Sequence, residues 1–222
     1  MRKGLLLLPI ILLSLGVVQA QKQTWNLSKN IRATNNEISF DQGSSGVWYF
    51  MESASLRHIP LTYSFLPDYQ VLCGSPGEKQ INGLACWRDV AHMVQELPAV
   101  SVNFTSQTQY QSVVIPPHAV HFHPASDRLA IIAWKSPLNA IVKITGGFTD
   151  LDPNCGNGVL WSIDRGTQRL AFGDLPNGGA RSFQLPAVSV TRGRVLYFIL
   201  DPKNGDYGCD TTMIDLTIAE VQ

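Results

Sequence analysis

The stretch from Pro116 to Asp152 constrains the fold most, because it contains the strongest β-strand signals in the chain. Leu129 to Trp134 is a nearly unbroken apolar run, and Ala140 to Phe148 alternates more loosely between apolar and polar residues. Both patterns are typical of half-buried or fully buried strands rather than of helices. The sequence therefore predicts two long strands joined by a turn at Pro137 to Asn139.

Further segments with strand character recur along the chain, separated by turn residues. They are Ile38 to Phe40, Gly46 to Met51, Leu61 to Phe65, Val100 to Phe104, Ser112 to Ile115, Gly158 to Asp164, Gln168 to Phe172, Arg181 to Val190, Val195 to Leu200 and Met213 to Val221. Glycine and asparagine in the connections can adopt the positive φ angles that tight β-turns require. Because no long helical pattern interrupts the strands, the sequence predicts an all-β, antiparallel β-sandwich.

Residues 1–20 have the layout of a secretory signal peptide. Arg2 and Lys3 precede an apolar block from Leu5 to Val18, and Ala20 is a small residue suited to cleavage. The apolar block is shorter than the roughly 20 residues of a membrane-spanning helix. We therefore predict cleavage after Ala20 and a secreted or periplasmic β-sandwich domain over residues 21–222, with no membrane span in the mature protein.

The four cysteines all lie in the predicted mature chain, and an even number in an oxidising compartment is typical of disulfides. Of the three pairings, we favour Cys73 with Cys86 and Cys155 with Cys209, because each bond then closes its own half of the chain. The first bond would close an irregular loop region around residues 66–96, where Val90 to Glu96 fits either a helical turn or a strand. A zinc site is the rival interpretation, but the chain has no Cys-x-x-Cys pair.

Strand directions support the second pairing. If each successive strand reverses direction, the connections Thr149 to Asn157 and Pro202 to Thr212 lie at the same end of the sandwich. That arrangement places Cys155 near Cys209. It requires Gln168 to Phe172 to be a separate strand.

Four aspartates lie in these two connections and form a candidate calcium site: Asp150, Asp152, Asp206 and Asp210. Calcium is commonly bound by carboxylates together with loop carbonyls. The alternative is structural, since turns favour aspartate for their own hydrogen bonds.

Three histidines, His118, His121 and His123, form a second candidate metal site. On a strand, His121 and His123 would project from the same face. Imidazole pairs of this kind bind zinc or copper. In the alternative interpretation, His123 hydrogen-bonds a turn and the other two are solvated.

The charge pattern predicts no nucleic-acid partner. The formal net charge is zero and the basic residues are scattered singly. Nucleic-acid binding requires lysine and arginine clustered on one surface, where they neutralise phosphates.

Several short motifs between Ile115 and Glu220 match a known type of module. They are His123-Pro124 before a strand, Ser136-Pro137 after Trp134, Gly146 to Asp150, Pro176 to Gly179, and Gly205 to Thr212 before the last strand. On these motifs the second half of the chain resembles secreted bacterial β-sandwich modules of the galactose-binding-like, carbohydrate-binding type. Ala125 and Ser126 depart from the pattern where a Gly-Pro turn is common, and Cys209 departs where an aromatic residue is usual. The resemblance implies a jelly-roll sandwich that binds a glycan or another extracellular surface.

Sugar binding would require exposed aromatic faces beside polar side chains. The candidates are the aromatic residues in loop-like surroundings: Trp87, Tyr69, Tyr207 and Tyr110. Ordinary packing is the alternative for each of them. The tryptophans inside strand runs are predicted to be buried: Trp48, Trp134 and Trp161.

No recognised catalytic motif occurs in the chain, which favours a non-catalytic protein. The leading hypothesis is a secreted module that binds carbohydrate or another extracellular surface, stabilised by disulfides and calcium. One alternative is a polysaccharide-active hydrolase or metalloenzyme that uses the histidines or the loop aspartates. Another is a structural or adhesive subunit that binds protein through an exposed sheet edge.

Overall fold

A computed structural model of the chain describes residues 22–31, 46–70, 72–73, 83–92, 97–106, 108–110 and 113–221. The predicted signal peptide and the predicted strand Ile38 to Phe40 lie outside these residues. The elements are β1 (Thr24–Asn26), α1 (Leu27–Asn30), β2 (Trp48–Ser53), a 3-10 turn (Pro60–Thr62), β3 (Tyr63–Phe65), β4 (Asp68–Gln70), β5 (Leu84–Arg88), β6 (Ala99–Asn103), β7 (Thr108–Tyr110), β8 (Val113–Ile115), β9 (Val120–His123), β10 (Ala130–Lys135), β11 (Ala140–Asp150), β12 (Val159–Arg165), β13 (Gln168–Leu175), β14 (Ala180–Val190), β15 (Val195–Asp201) and β16 (Thr212–Glu220).

The strands form two antiparallel sheets that pack face to face. The eight-stranded sheet has the order β14-β11-β16-β9-β6-β5-β4, with β1 also paired to β16, and the six-stranded sheet has the order β13-β12-β15-β10-β2-β3. Strands β7 and β8 pair separately. This architecture confirms the prediction of an all-β, antiparallel β-sandwich.

The central strands β10 and β11 lie in different sheets, so the turn at Pro137 to Asn139 crosses the sandwich instead of closing a hairpin. The apolar run of β10 follows from burial on both of its faces. Ile132 and Trp134 face the main core. Leu129 and Ile131 face outward into a second buried cluster with Ile199. A strand covered on both sides has no polar alternation, which explains the unbroken pattern.

Gly146 in β11 allows the close approach of β16. A Cβ atom there would overlap the Asp215 carbonyl oxygen and lie 2.8 Å from the Phe183 ring. Any other residue would therefore push β11 away from its neighbour, because the Asp215 oxygen belongs to the backbone and cannot rotate aside.

Both favoured disulfides are present. Cys73 and Cys86 have a Cα–Cα distance of 5.6 Å, and Cys155 and Cys209 one of 5.5 Å. The connections after β11 and before β16 meet at one end, where the Leu151 amide donates to the Thr211 carbonyl at 2.8 Å. The inference from strand direction is therefore confirmed.

The segment around residues 66–96 contains more regular structure than the sequence indicated. Strands β4 and β5 pair antiparallel there, and β5 pairs with β6 on its other side. Val90 to His92 form a turn, and residues 93–96 lie outside the described ranges. Within those ranges, the helices are too short to cross a bilayer.

Candidate functional site

The loop aspartates lie where they were predicted, at the end of the sandwich that carries Cys155 and Cys209. The Asp150 carboxylate accepts hydrogen bonds from the Asp152 amide at 2.9 Å and from the Gly178 amide at 2.5 Å. Asp152 accepts a hydrogen bond from the Asn154 amide group at 3.1 Å. Both aspartates therefore stabilise turns through hydrogen bonds, which is the alternative to calcium binding given above.

Asp210 is different, because its carboxylate has no such partner. Its side chain is 2% exposed, and neither carboxylate oxygen has a hydrogen-bond partner among the described residues. Burial, reinforced by the negative charges of Asp206 and Asp150, raises the pKa of Asp210 to about 8. No group of three or more histidine, cysteine or acidic side chains in the described part of the chain is arranged to hold a metal ion.

The three histidines are not brought together. His118 is exposed in a turn with φ of 58°. His121 and His123 share one face of β9, and the His123 Nδ1 atom lies 2.8 Å from the Pro124 carbonyl oxygen, to which it donates. Burial lowers the pKa of His121 to about 3 and that of His123 to about 4. Both rings are therefore neutral near neutral pH, and the turn hydrogen bond predicted as the alternative for His123 is present.

The predicted sugar-binding aromatics are also spread out. Trp87 is 1% exposed and packs against Phe50 and Tyr69, with ring centroids 4.5 and 5.1 Å away, so its ring has no free face for a sugar. The loop-like surroundings of Trp87 in the sequence are in fact strand β5, which is paired on both sides, with β4 and with β6. Tyr207 is half-buried near His123, with 6.5 Å between ring centroids. Tyr110 ends β7, and its side chain lies outside the described part of the structure.

A groove that the sequence did not indicate lies on the outer face of the six-stranded sheet. We call it the sheet-face groove. It has a volume of about 490 Å³ and is lined by His58, Leu160, Trp161, Ser162, Arg169, Phe172, Gly173, Asp174 and Asp201. Trp161 and Ile163 of β12 belong to the core, so the alternate residues Leu160, Ser162 and Asp164 face outward.

His58 anchors the segment before β3 across this face. Its Nδ1 atom lies 3.2 Å from an Asp164 oxygen, and its Nε2 atom lies 3.8 Å from an Asp201 oxygen. Burial alone would lower the pKa of His58, but hydrogen bonds to Asp164 and Asp201 outweigh it and raise the pKa. His58 and the two aspartates therefore form a charged cluster beside the groove.

Apolar surface lies next to these charges. Phe172 is 71% exposed and Leu160 is 43% exposed, although both belong to regular strands. Phe172 pairs across the strands with Ser162. The Arg169 guanidinium lies 5.7 Å from the centre of the Phe172 ring and 3.6 Å from an Asp164 oxygen. The groove thus offers an apolar platform with fixed polar groups around it.

Sequence reasoning missed the groove because its parts are far apart in the chain. His58 and Asp164 are separated by 106 residues. The available signal was the alternation in β12, where Leu160 takes an outward position next to the core residue Trp161.

No protein-family model matches the chain, and no curated protein does. Among solved structures, a carbohydrate-binding module, CBM36, in complex with calcium and xylotriose is similar to 54% of this chain over 92% of its own length, with 10% identity and a TM-score of 0.31. An arabinose-bound GH51 α-L-arabinofuranosidase, MgGH51, is similar to 81% of this chain over 27% of its own length, with 10% identity and a TM-score of 0.34. Both TM-scores are below 0.5, and identities this low do not indicate a shared function.

Proposed function

We propose that this chain is an extracellular glycan-binding protein that holds its ligand in the sheet-face groove. The observation that carries the proposal is Phe172, a large aromatic side chain that is 71% exposed on a regular strand inside a groove lined by charged groups. An isolated exposed phenylalanine would need no explanation, but one set in a groove among fixed polar groups is typical of a binding site.

The chemistry of the groove suits a sugar. The C–H face of a pyranose ring is apolar and can stack on an aromatic ring, while its hydroxyls need donors and acceptors around the edge. Asp201, Ser162 and His58 supply such groups. They lie on paired strands or are held by ion pairs, so little side-chain entropy is lost when a ligand binds.

The ion pairing of the carboxylates near the groove favours binding over hydrolysis. Asp164 is paired with both His58 and Arg169, and Asp174 is paired with Lys203 at 2.6 Å. A glycosidase needs one carboxyl group that is protonated and another that is free to attack or to activate water. Carboxylates neutralised by cations are better suited to accepting hydrogen bonds from hydroxyls.

The compartment belongs to the same proposal. Two disulfides are most stable in an oxidising environment, which agrees with the predicted signal peptide. Tyr207 and Tyr69 stay predicted ligand contacts outside the groove. The alternative of an adhesive subunit that binds protein through a sheet edge also stays a prediction.

Replacing Phe172 by alanine is expected to weaken glycan binding about tenfold, because the stacking platform is lost. The measurement is a dissociation constant for the best neutral oligosaccharide found on a glycan array. Phe65→Ala is the matched control, since Phe65 is 54% exposed on the same sheet but does not line the groove. Equal affinities of the two variants would contradict the assignment of the groove.

We also propose that a calcium ion binds beside Asp210. A buried carboxylate with two unpartnered oxygens is unfavourable, and a cation that enters between the two connections would satisfy it. Asp206 and backbone carbonyls of the same loops would complete the ligands, since calcium takes oxygen donors of every kind. The ion would supply charge neutralisation and hold the two connections together.

Saturating calcium is expected to raise the melting temperature, with a stabilisation of about 2.7 kcal/mol at a free concentration 100 times the dissociation constant. Asp210→Asn should abolish this response, whereas Asp127→Asn, on a side chain that is 61% exposed, should preserve it. Thermal unfolding with calcium and with chelator measures the effect. If the melting temperature of the wild-type protein does not respond to calcium, there is no site at Asp210.

A further inference from the structure

A second recess lies at the end of the sandwich opposite the Cys155–Cys209 disulfide. It has a volume of about 510 Å³, and its walls include Arg165, Arg194, Ser189, Pro60 and Tyr197. We call it the arginine recess. Strand β12 runs from Leu160 in the sheet-face groove to Arg165 in this recess, a distance of about 17 Å at 3.4 Å per residue.

Arg165 is held in place by neutral partners. One guanidinium nitrogen donates to the Ser189 carbonyl at 2.8 Å and another donates to the Gln168 side-chain oxygen at 2.6 Å. These bonds fix the direction of the side chain without neutralising it. No ion pair among the described residues includes Arg165 or Arg194.

Arg194 adds a second positive charge to the same recess. Arg194 directly follows the turn Thr191 to Gly193 and is exposed to solvent. Its guanidinium makes no hydrogen bond to any other described residue. The recess differs in charge from the sheet-face groove. At the groove, Arg169 is paired with Asp164 and Lys203 with Asp174, so these positive charges are neutralised. One fixed and one free guanidinium can approach the same anion from two sides.

We propose that the arginine recess binds an oxyanion, either a carboxylate or a sulfate ester, carried by an acidic polysaccharide. Guanidinium groups bind both through paired, charge-assisted hydrogen bonds in a planar fork. Because Arg165 is already oriented, little side-chain entropy is lost on binding. This inference rests on the proposed function only in taking the anion to be part of a glycan.

The two binding regions share one wall. His58 lines the sheet-face groove and Pro60 lines the arginine recess, so the segment between them separates the two. An oligosaccharide long enough to cross this segment can occupy both regions, which lie about 17 Å apart along β12. The recess would then select acidic chains, while the groove binds a sugar ring.

The test uses three polymers: dextran sulfate, polygalacturonate and unmodified dextran. Their binding is measured by calorimetry at low and at high salt. We expect the wild-type protein to bind dextran sulfate, polygalacturonate or both more tightly than dextran, and more weakly as salt rises. A preference between the two anionic polymers identifies sulfate or carboxylate as the source of the anion.

Arg194→Gln is expected to weaken binding of the preferred anionic polymer about tenfold. This variant keeps every described hydrogen bond, so it tests the site without disturbing the fold. Arg165→Gln combined with Arg194→Gln should lose more. Arg181→Gln is the control for loss of one positive charge, because Arg181 lies eight residues along β14 from Ser189. It also matches Arg165, since its guanidinium donates to backbone carbonyls.

The outcomes separate this inference from the proposed function. If binding of the anionic polymer survives Phe172→Ala and is weakened by Arg194→Gln, the recess is supported whether or not the groove binds a neutral glycan. If a neutral glycan binds and neither anionic polymer binds more tightly than dextran, the recess is overturned and the groove stands. Equal losses in Arg194→Gln and Arg181→Gln would also overturn it, since they would show diffuse attraction.

Discussion

Replacing Trp134 by alanine is expected to lower the free energy of unfolding by about 3 to 5 kcal/mol. Trp134 is fully buried in β10, between β2 and β15. Its ring packs edge-on against Trp25, with 5.1 Å between the ring centroids. The substitution removes the largest type of side chain from the layer between the sheets, and rigid strands on both sides cannot close the cavity.

Urea unfolding followed by circular dichroism measures this loss. Leu61→Ala is the control, because Leu61 is 98% exposed and its truncation should change stability by no more than about 0.5 kcal/mol. If Trp134→Ala lost no more stability than Leu61→Ala, the packing of the two sheets described above would be wrong.

Acidification is expected to destabilise the protein through His121. The pKa of this buried imidazole is about 3 in the folded chain, against 6.5 for an exposed histidine. Below pH 6.5 the unfolded chain therefore binds a proton that the folded chain does not. Stability falls with pH between these two values, by up to about 1.4 kcal/mol per pH unit from His121 alone. His123 contributes in the same direction, with a folded pKa of about 4.

Asp210 opposes this trend, because its raised pKa means that the folded chain binds a proton more readily than the unfolded chain. The informative quantity is therefore the difference between variants. His121→Gln should have a shallower loss of stability toward acid pH than the wild-type protein, measured by urea unfolding at several pH values. His118→Asn should match the wild type, since His118 is exposed in a turn where a φ of 58° suits asparagine. Identical pH profiles for all three proteins would show that His121 is not buried in its neutral form.

Much of the fold is readable in the sequence. The turn residues and apolar runs predict most strands after residue 112 to within a few positions, because strand formation there depends on local pattern and on Gly and Asn in the turns. Strand direction then predicts that Cys155 and Cys209 meet. The two disulfides and the burial of Trp134 follow from this level of information.

The burial of particular aromatic residues could not be predicted from the sequence. The residues around Trp87 suggested a loop, since Asn82 and Gly83 are turn formers. Only the pairing of β5 with β4 and β6 places this ring inside the sandwich. Conversely, phenylalanine is usually a core residue, but Phe172 is exposed. It pairs with Ser162, which faces outward, and the two side chains therefore lie on the same outer face of the sheet. Which face of a strand is buried depends on neighbours that are distant in sequence.

The sequence by itself determined most strands after residue 112, their turns and the aspartate-rich end, and it favoured the observed cysteine pairing, since each depends on short-range pattern or on counting strand directions. The tertiary structure alone decided the sheet-face groove and the arginine recess. His58 reaches Asp164 across 106 residues, and Arg165 reaches Ser189 in the opposite sheet. Such sites form where segments that are distant in the sequence place side chains next to one another, and a local sequence pattern carries no information about that contact.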